Sequence, residues 1–182
     1  LAIIQKKIDN LIMMADAFYE LSQVDSSDKQ LNIEQQFIDK IIIENMLLFY
    51  ADFEKSQLRV DIEEVPVSPI FADKKAANRI VINIIQNALR YAKNYFKIAW
   101  TEDERYVHFI AINDVDTLDH TELKRIFDRT FKMDSSRTGG EPGLGLHIVE
   151  QLIHKQGGKV AADLHDNEFK IDVAFKKWDS CG

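Results

Sequence analysis

The sequence predicts an α/β fold: a two-layer sandwich in which helices pack on one face of a mixed sheet, preceded by one long helix. Helix-like and strand-like segments alternate along the 182 residues without internal repeats, which favours a mixed sheet covered by helices. Residues 1–24 carry apolar residues at helical spacing and have no strand-like neighbours. We therefore expect two parts: a helix with a polar hinge over residues 1–28, and the sandwich over residues 29–182.

The first element is a long amphipathic helix over residues 1–24. Its apolar residues recur at alternating intervals of four and three, typical of a seam in a helix bundle, and they are Ile4, Ile8, Leu11, Ala15 and Phe18. Two interpretations stay open at this point: the helix lies on the main domain, or it pairs with other helices. The polar run from Ser22 to Asp28 predicts a hinge to the next part.

The remaining elements follow from local periodicity and from end signals. The predicted order is a helix at about residues 33–53, a strand at 58–62, a short extended segment at 67–71, a helix that begins after Asp73 as its N-cap, strands at 95–100 and 106–113, a helix at 144–155, and strands at 159–164 and 169–175. Gly157-Gly158 should end the last helix. The connection at 115–141 is too long for an ordinary loop, which indicates a functional lid.

Composition narrows the function classes. Acidic residues outnumber basic ones 30 to 23, which argues against general binding to nucleic acid. The single cysteine, Cys181, excludes a disulfide framework and a cysteine-rich metal site. No run reaches the ~18 apolar residues that a bilayer crossing needs, and no signal peptide is present. Because the chain starts at Leu1, we expect it to be a fragment of a longer protein.

The stretch from Asn83 to Tyr91 carries the first functional pattern. In a helix, Asn83, Asn87, Arg90 and Asn94 follow one another at steps of four, three and four, and so share one narrow stripe. The residues between them are apolar and should face a core. Uncharged amide oxygens suit a hard cation that keeps most of its water, such as Mg²⁺ on a polyphosphate.

The second pattern is Gly143-Leu144-Gly145-Leu146, a glycine-rich turn that opens the helix predicted at 144–155. Such a turn offers unpaired backbone N–H groups to phosphate oxygens. Either pattern alone is weak evidence. Together, and in this order, the amide stripe and the glycine turn predict a site for a Mg-nucleotide.

Four motifs in this order resemble those of the ATP-binding domain of two-component sensor histidine kinases, in the superfamily shared with Hsp90-type chaperones, type II topoisomerases and MutL. The matching segments are Asn83–Tyr91 for the N box, Ala-Ile-Asn-Asp114 for the adenine-binding aspartate, Ile126–Lys132 for the F box, and Gly139–Val149 for the second glycine box. The resemblance covers nearly the whole chain. It implies a Bergerat-type ATP-binding fold, preceded by the second helix of a dimerisation hairpin.

The resemblance also implies ligands and residue roles. ATP and Mg²⁺ are the expected cofactors, with Asn87 as the Mg²⁺ ligand and Asn83 beside it. Arg90 and Tyr91 are expected against the phosphates and ribose, and Asp114 at the adenine amino group. Arg129, at the start of the lid, is a candidate phosphate contact. The backbone amides of Gly143, Leu144, Gly145 and Leu146 are expected to anchor the phosphate chain.

Two departures from the family pattern bear on function. Where the family has D-x-G-x-G, this chain reads Asp114-Val115-Asp116-Thr117-Leu118, so both glycines are missing. The adenine pocket is then either intact but re-shaped, or weakened or lost. In addition, none of the five histidines is followed by an acidic residue and, four positions on, by proline. We expect the phosphoacceptor histidine to lie upstream of Leu1.

The expected function is that of a kinase domain that supplies the γ-phosphoryl of Mg-ATP to that upstream histidine, for relay to a response regulator. The resemblance implies a homodimer through the hairpin of the full protein, and a cytoplasmic location in a parent protein anchored in the cell membrane. One alternative is a serine kinase of the anti-sigma type. Another is a non-catalytic or phosphatase-type signalling scaffold with weak or no ATP binding.

Overall fold

The structure, a computed structural model, describes residues 31–116, 118, 120–128 and 144–178. Its strands are β1 (Ile33–Gln36), β2 (Arg59–Ile62), β3 (Ile70–Asp73), β4 (Tyr95–Glu102), β5 (Tyr106–Asp114), β6 (Lys159–His165) and β7 (Glu168–Lys176). Its helices are α1 (Ile38–Leu48), α2 (Tyr50–Ser56), α3 (Lys74–Tyr91), α4 (His120–Leu123) and α5 (Gly145–Lys155).

The main sheet is mixed and has its strands in the order β2-β4-β5-β7-β6. β2 and β4 run parallel, and the other neighbours are antiparallel. One face, which we call the helix face, carries Phe96, Phe109 and Val173 and packs against α3 and α5 in one apolar core. The other face, the outer face, carries the residues that alternate with them, such as His108 and Asp172. The expected α/β sandwich is confirmed.

Helix α3 lies at the centre of the helix layer. Its N-cap is Asp73, as predicted, and one carboxylate oxygen accepts a hydrogen bond of 2.9 Å from the N–H of Ala76. The other oxygen accepts one of 2.9 Å from the N–H of Asn32. The apolar stripe of α3 is buried at Ala77, Ile80, Val81, Ile84 and Ile85. The cap and the buried stripe together fix the orientation of this helix and so the positions of the residues on its polar stripe.

The prediction of one continuous helix at about residues 33–53 was wrong, because the helix starts later than predicted and is interrupted. Residues 33–36 form β1, which pairs antiparallel with β3. The helix begins at Ile38 and is interrupted at Phe49, whose φ of −93° and ψ of 8° are not helical. Pairing with a strand distant in sequence overrides the helical periodicity of residues 33–36, since β3 supplies backbone partners that a local pattern cannot reveal.

The end of α5 and the last hairpin are as predicted. Gly157 has a φ of +73°, the left-handed conformation that glycine adopts without strain after a helix. β6 and β7 are joined by a turn in which Asp166 also has a positive φ of 53°. The closing strands agree with the predicted ones to within a residue or so at each end.

Some predictions lie outside the described residues: the helix over 1–24 with its hinge, most of the lid, Arg129 and Gly143. In the ranges that the structure does describe, no helix is both long and apolar enough to cross a membrane.

Candidate functional site

Three parts of the fold meet at one end of the molecule: the second half of α3, the start of α5 and the end of β5. α3 and α5 pack directly against each other, and α3 also contacts β5. The two helices approach each other closely at Gly145, where a Cβ atom would lie 3.0 Å from Oδ1 of Asn83. That distance is shorter than an ordinary van der Waals contact. Glycine at this position therefore lets the start of α5 approach the amide-bearing side of α3.

Asn83 is buried in this contact between helices. Its side chain is 6% exposed, and Nδ2 donates a hydrogen bond of 2.9 Å to the carbonyl oxygen of Arg79, one turn earlier in α3. The amide group therefore faces Gly145 with its oxygen. The sequence pattern put Asn83 on the polar stripe, and the structure places that part of the stripe under α5.

Asn87 lies one turn further along the same stripe and is half-buried. Within the described part of the chain, its carboxamide has no hydrogen-bond partner, in contrast to those of Asn83 and Asn45. A half-buried amide in this position can accept a ligand without first giving up a hydrogen bond within the described residues. Its oxygen is of the hard, neutral type that Mg²⁺ accepts, so the donor present fits the implied ion.

Carboxylate, histidine and cysteine side chains do not form a rival metal site here. Among the described residues, no group of three or more of them is close enough to hold a metal ion.

The last turn of α3 carries Arg90 and Tyr91. Arg90 is exposed, and its guanidinium carbon lies 5.9 Å from the ring centre of Tyr91, which packs partly against the core. The expected continuation of the stripe to Asn94 was wrong, because α3 ends at Tyr91. Asn94 lies in the connection to β4, where its side chain donates to the carboxylate of Asp114.

The start of α5 points free backbone donors toward this region. The first hydrogen bond inside the helix runs from the N–H of Ile148 to the carbonyl oxygen of Leu144. The N–H groups of Gly145, Leu146 and His147 precede it and have no partner within the helix. The side chains of Leu144 and Leu146 are buried in the core, so these two residues can offer a phosphate only their backbone.

Asp114 lies on the outer face, at the end of β5. Its carboxylate accepts hydrogen bonds from the N–H groups of Lys93 at 3.0 Å, Asn94 at 3.0 Å and Tyr95 at 3.3 Å, and from the side chain of Asn94. Partial burial by itself would raise the pKa of Asp114, but these hydrogen bonds outweigh it and hold the pKa below its ordinary value. Its proposed contact with adenine stays a prediction.

Asn113, which the sequence did not single out, lies on the helix face. It is 4% exposed and pairs with Phe96 of β4 and Phe169 of β7. Its Nδ2 donates a hydrogen bond of 3.0 Å to the carbonyl oxygen of Asp114. Within the described residues, its Oδ1 has no donor. No local pattern in the sequence of β5 distinguishes it from the adjacent Asp114, and its burial on the helix face is evident only in the fold.

The chain beyond β5 does not need the glycines that are missing. Val115 is buried, and its N–H donates a hydrogen bond of 2.8 Å to the carbonyl oxygen of Asn167. Of the non-glycine residues that the structure describes, just Gln57 and Asp166 have a positive φ. Leu118 therefore adopts no left-handed conformation and packs partly against the core, so a non-glycine residue is tolerated at this position.

Comparison with known proteins identifies the family and the fold. Residues 72–176, more than half of the chain, match the family model of the histidine kinase-, DNA gyrase B- and HSP90-like ATPases. The sensor histidine kinase YcbM of Bacillus subtilis (strain 168) is 27% identical over 164 residues, which are 87% of this chain and 52% of that protein. The chain thus spans about half the length of this relative.

Two solved structures share the fold. Full-length ShkA in complex with AMPPNP has a TM-score of 0.79 at 16% identity, over 96% of this chain and 38% of that one. The histidine kinase ThkA in complex with the response regulator TrrA has a TM-score of 0.79 at 19% identity, over 94% of this chain and 49% of that one. The fold, the packing of α3 on α5 and the matched residues agree: this chain belongs to the family of histidine kinase-, DNA gyrase B- and HSP90-like ATPases.

Proposed function

We propose that this chain is the Mg-ATP-binding kinase domain of a sensor histidine kinase, and that it supplies the γ-phosphoryl group to a histidine outside these residues. One observation carries the proposal: Gly145 brings the first N–H groups of α5, which have no partner within the helix, against the stripe of α3 that bears Asn87, whose amide has no partner among the described residues. Catalysis of phosphoryl transfer depends mainly on the positioning of the reacting groups and on the stabilisation of negative charge. Both are available at this end of the fold.

Each residue would have a role in binding or catalysis that follows from its chemistry. Asn87 would hold Mg²⁺, which when bound neutralises part of the charge of the phosphates. The first N–H groups of α5 would hold phosphate oxygens, as helix starts do, and Asn83 positions α5 through its contact with Gly145. Arg90, exposed at the end of α3, supplies a positive charge for the γ-phosphoryl group. Arg129 and Gly143 would add phosphate contacts from the lid and the glycine turn.

The proposal extends to partners. The phosphoryl group would pass from the histidine to a response regulator, and the full protein would form a homodimer through its helical hairpin and be anchored in the cell membrane, with this part in the cytoplasm. Two facts support the relay to a response regulator: the relative YcbM is named a sensor histidine kinase, and ThkA, which shares the fold, is in complex with a response regulator.

A second candidate function is a non-catalytic or phosphatase-type signalling scaffold. It is favoured by one observation, the replacement of the family's glycines by the sequence Asp116-Thr117-Leu118 directly after β5. If the re-shaped segment closes the base pocket, the domain would bind no nucleotide and would act through its surfaces alone.

A titration with Mg-ADP separates the two functions. If the chain binds nucleotide, its free energy of unfolding should rise with ligand concentration as RT ln(1 + [L]/Kd), which is about 2.7 kcal/mol at a hundredfold excess over Kd. Thermal unfolding at increasing concentrations of Mg-ADP measures this rise. No rise at millimolar ligand would favour the scaffold.

The variant Asn87→Ala tests the metal role within the same assay. We expect it to lose the extra stabilisation that Mg²⁺ adds to ADP, because the amide oxygen that holds the ion is gone. Asn32→Ala is the matched control, since Asn32 is exposed and contributes only its backbone N–H to the fold. Equal Mg²⁺-dependent stabilisation of Asn87→Ala and wild type would exclude the role of Asn87.

A further inference from the structure

We propose that the base of the bound nucleotide is read by the neutral carboxamide of Asn113, and that Asp114 is a structural brace for the connection between α3 and β4. The inference rests on the proposed nucleotide-binding function and names the group that sets base preference. It departs from the assignment of the base to Asp114 that the resemblance implies.

The first step is the direction of the two side chains. Successive side chains of a strand point to opposite faces of the sheet. Phe109, Ala111 and Asn113 are buried on the helix face, where α3 and α5 lie, whereas Asp114 is on the outer face. β5 is paired along its whole length with β7 and nearly so with β4, so its register cannot slip by one residue. Asp114 therefore cannot reach the side of the sheet that holds Asn87 and Gly145.

The second step is that hydrogen bonds from neighbouring residues already use the acceptor positions of the Asp114 carboxylate. An ionised carboxylate has about four acceptor positions. Three backbone N–H groups, those of Lys93, Asn94 and Tyr95, and the side chain of Asn94 donate to it. These donors belong to the turn that leads from the end of α3 into β4. A base amino group would have to displace one of them, so the brace and the base contact exclude each other.

The third step is the orientation of the Asn113 amide. Its Nδ2 donates to the carbonyl oxygen of Asp114, which directs Oδ1 away from that bond as the unpaired end. An oxygen acceptor matches the exocyclic amino group of adenine and mismatches the carbonyl oxygen of guanine. To accept guanine, the amide would have to flip and give up the hydrogen bond to Asp114. Adenine is therefore preferred, but less strongly than by a carboxylate, since a neutral acceptor makes the weaker hydrogen bond.

The fourth step is a consequence for pH. A carboxylate loses its acceptor character when it is protonated, and a carboxamide does not titrate. Base recognition by Asn113 should therefore be constant over the acidic range in which an aspartate would lose adenine selectivity, as long as the chain stays folded.

The test is a calorimetric titration of the 182-residue chain and its variants with Mg-ADP and with Mg-GDP as the two probes. We expect Asn113→Ala to bind ADP about tenfold more weakly, since it removes the acceptor. Asn113→Asp should raise the ratio of ADP to GDP affinity by about tenfold, because the acceptor becomes charged. Asp114→Asn should lower the melting temperature and weaken ADP binding far less than Asn113→Ala does. Asp172→Asn, a carboxylate-to-amide change on the outer face of β7, is the matched control.

The outcomes distinguish a failure of the inference about Asn113 from a failure of the proposed nucleotide-binding function. If folded Asn113→Ala binds ADP like wild type, or if folded Asp114→Asn loses ADP binding while the Asp172→Asn control keeps it, the inference is overturned and nucleotide binding stands. If the wild-type chain binds neither probe, the proposed function itself fails and the inference with it.

Discussion

At the scale of single residues, the contact between Gly145 and Asn83 decides how closely two helices can approach. The Oδ1 atom of Asn83 occupies the space that a Cβ would need, and it is held there by the bond from Nδ2 to Arg79. In the sequence the two residues belong to separate motifs about sixty positions apart. Their mutual role arises only where the fold brings the two motifs into contact.

The variant Gly145→Ala tests this contact. Its Cβ would lie 3.0 Å from Oδ1 of Asn83, so α5 or the amide must move by a few tenths of an ångström. Because the N–H groups that we propose to hold phosphate move with α5, we expect affinity for Mg-ADP to fall by about tenfold, while the free energy of unfolding changes by about 1 kcal/mol or less. Calorimetry and urea denaturation measure the two quantities.

The matched control for that variant is Gln151→Ala, which lies in the same helix away from its start and is half-buried. It should leave affinity for Mg-ADP close to that of wild type. Unchanged affinity in Gly145→Ala would mean that the start of α5 does not hold phosphate through this approach.

At the scale of elements, α3 joins the core to the site. Its apolar stripe is buried, its N-cap Asp73 also holds the chain at Asn32, and its polar stripe carries Asn83 and Asn87. Periodicity predicted the helix and the cap, because both depend on residues close in sequence. It did not predict that β1 would pair with β3, since that pairing joins segments far apart in the chain.

The variant Asp73→Ala tests the cap. It removes the acceptor for the N–H groups of Ala76 and Asn32, so we expect the free energy of unfolding to fall by about 1 to 2 kcal/mol. Urea denaturation measures the change. Asp61→Ala, which alters an exposed carboxylate on β2, should leave stability close to that of wild type. A loss of the same size in both variants would argue against a capping role.

At the scale of the whole molecule, two carboxylates form hydrogen bonds or ion pairs that join segments distant in sequence. Asp114 holds the connection between α3 and β4, and Glu102 accepts hydrogen bonds from Ser68 and lies against Lys177. Burial by itself would raise the pKa of Glu102, but the Lys177 ammonium and the Ser68 donors hold that pKa below its ordinary value of 4.5. The pKa of Asp114 is likewise below its ordinary value of 3.8.

Both shifts predict a loss of stability in acid. A carboxyl whose pKa is lower in the folded chain stabilises the fold above its ordinary value, and that contribution is lost as the pH falls through the folded pKa. We expect the free energy of unfolding to decrease from about pH 5 down to about pH 3. Urea denaturation across this range measures it. The double variant Asp114→Asn, Glu102→Gln should show a smaller decrease than wild type, and an identical decrease would show that other groups are responsible.

The candidate site was predictable to a different degree in each of its parts. The amide stripe and the glycine turn are each contiguous in sequence, so local motifs alone single out Asn87, Arg90, Tyr91, Leu144, Gly145 and Leu146. Asn113 could not be found in this way, because two adjacent polar residues end β5 and the motif does not say which face each one takes. Asn94 was misplaced because α3 ends three residues earlier than its amide stripe suggested.

The sequence by itself determined the order of helices and strands from β2 onward, apart from the short helix α4 within the predicted lid. It also determined the apolar stripe of α3, the glycine turn that follows α5 and the family to which the chain belongs. These depend on local propensity and on contiguous motifs, which are written in neighbouring residues. Only the tertiary structure decided the register of β5, the contact of Gly145 with Asn83 and the engagement of Asp114 by Lys93, Asn94 and Tyr95. The last two of these join residues about 20 or more positions apart, and β5 also pairs with β7, which is distant in sequence. Such pairings are selected by packing and hydrogen bonding over the whole molecule.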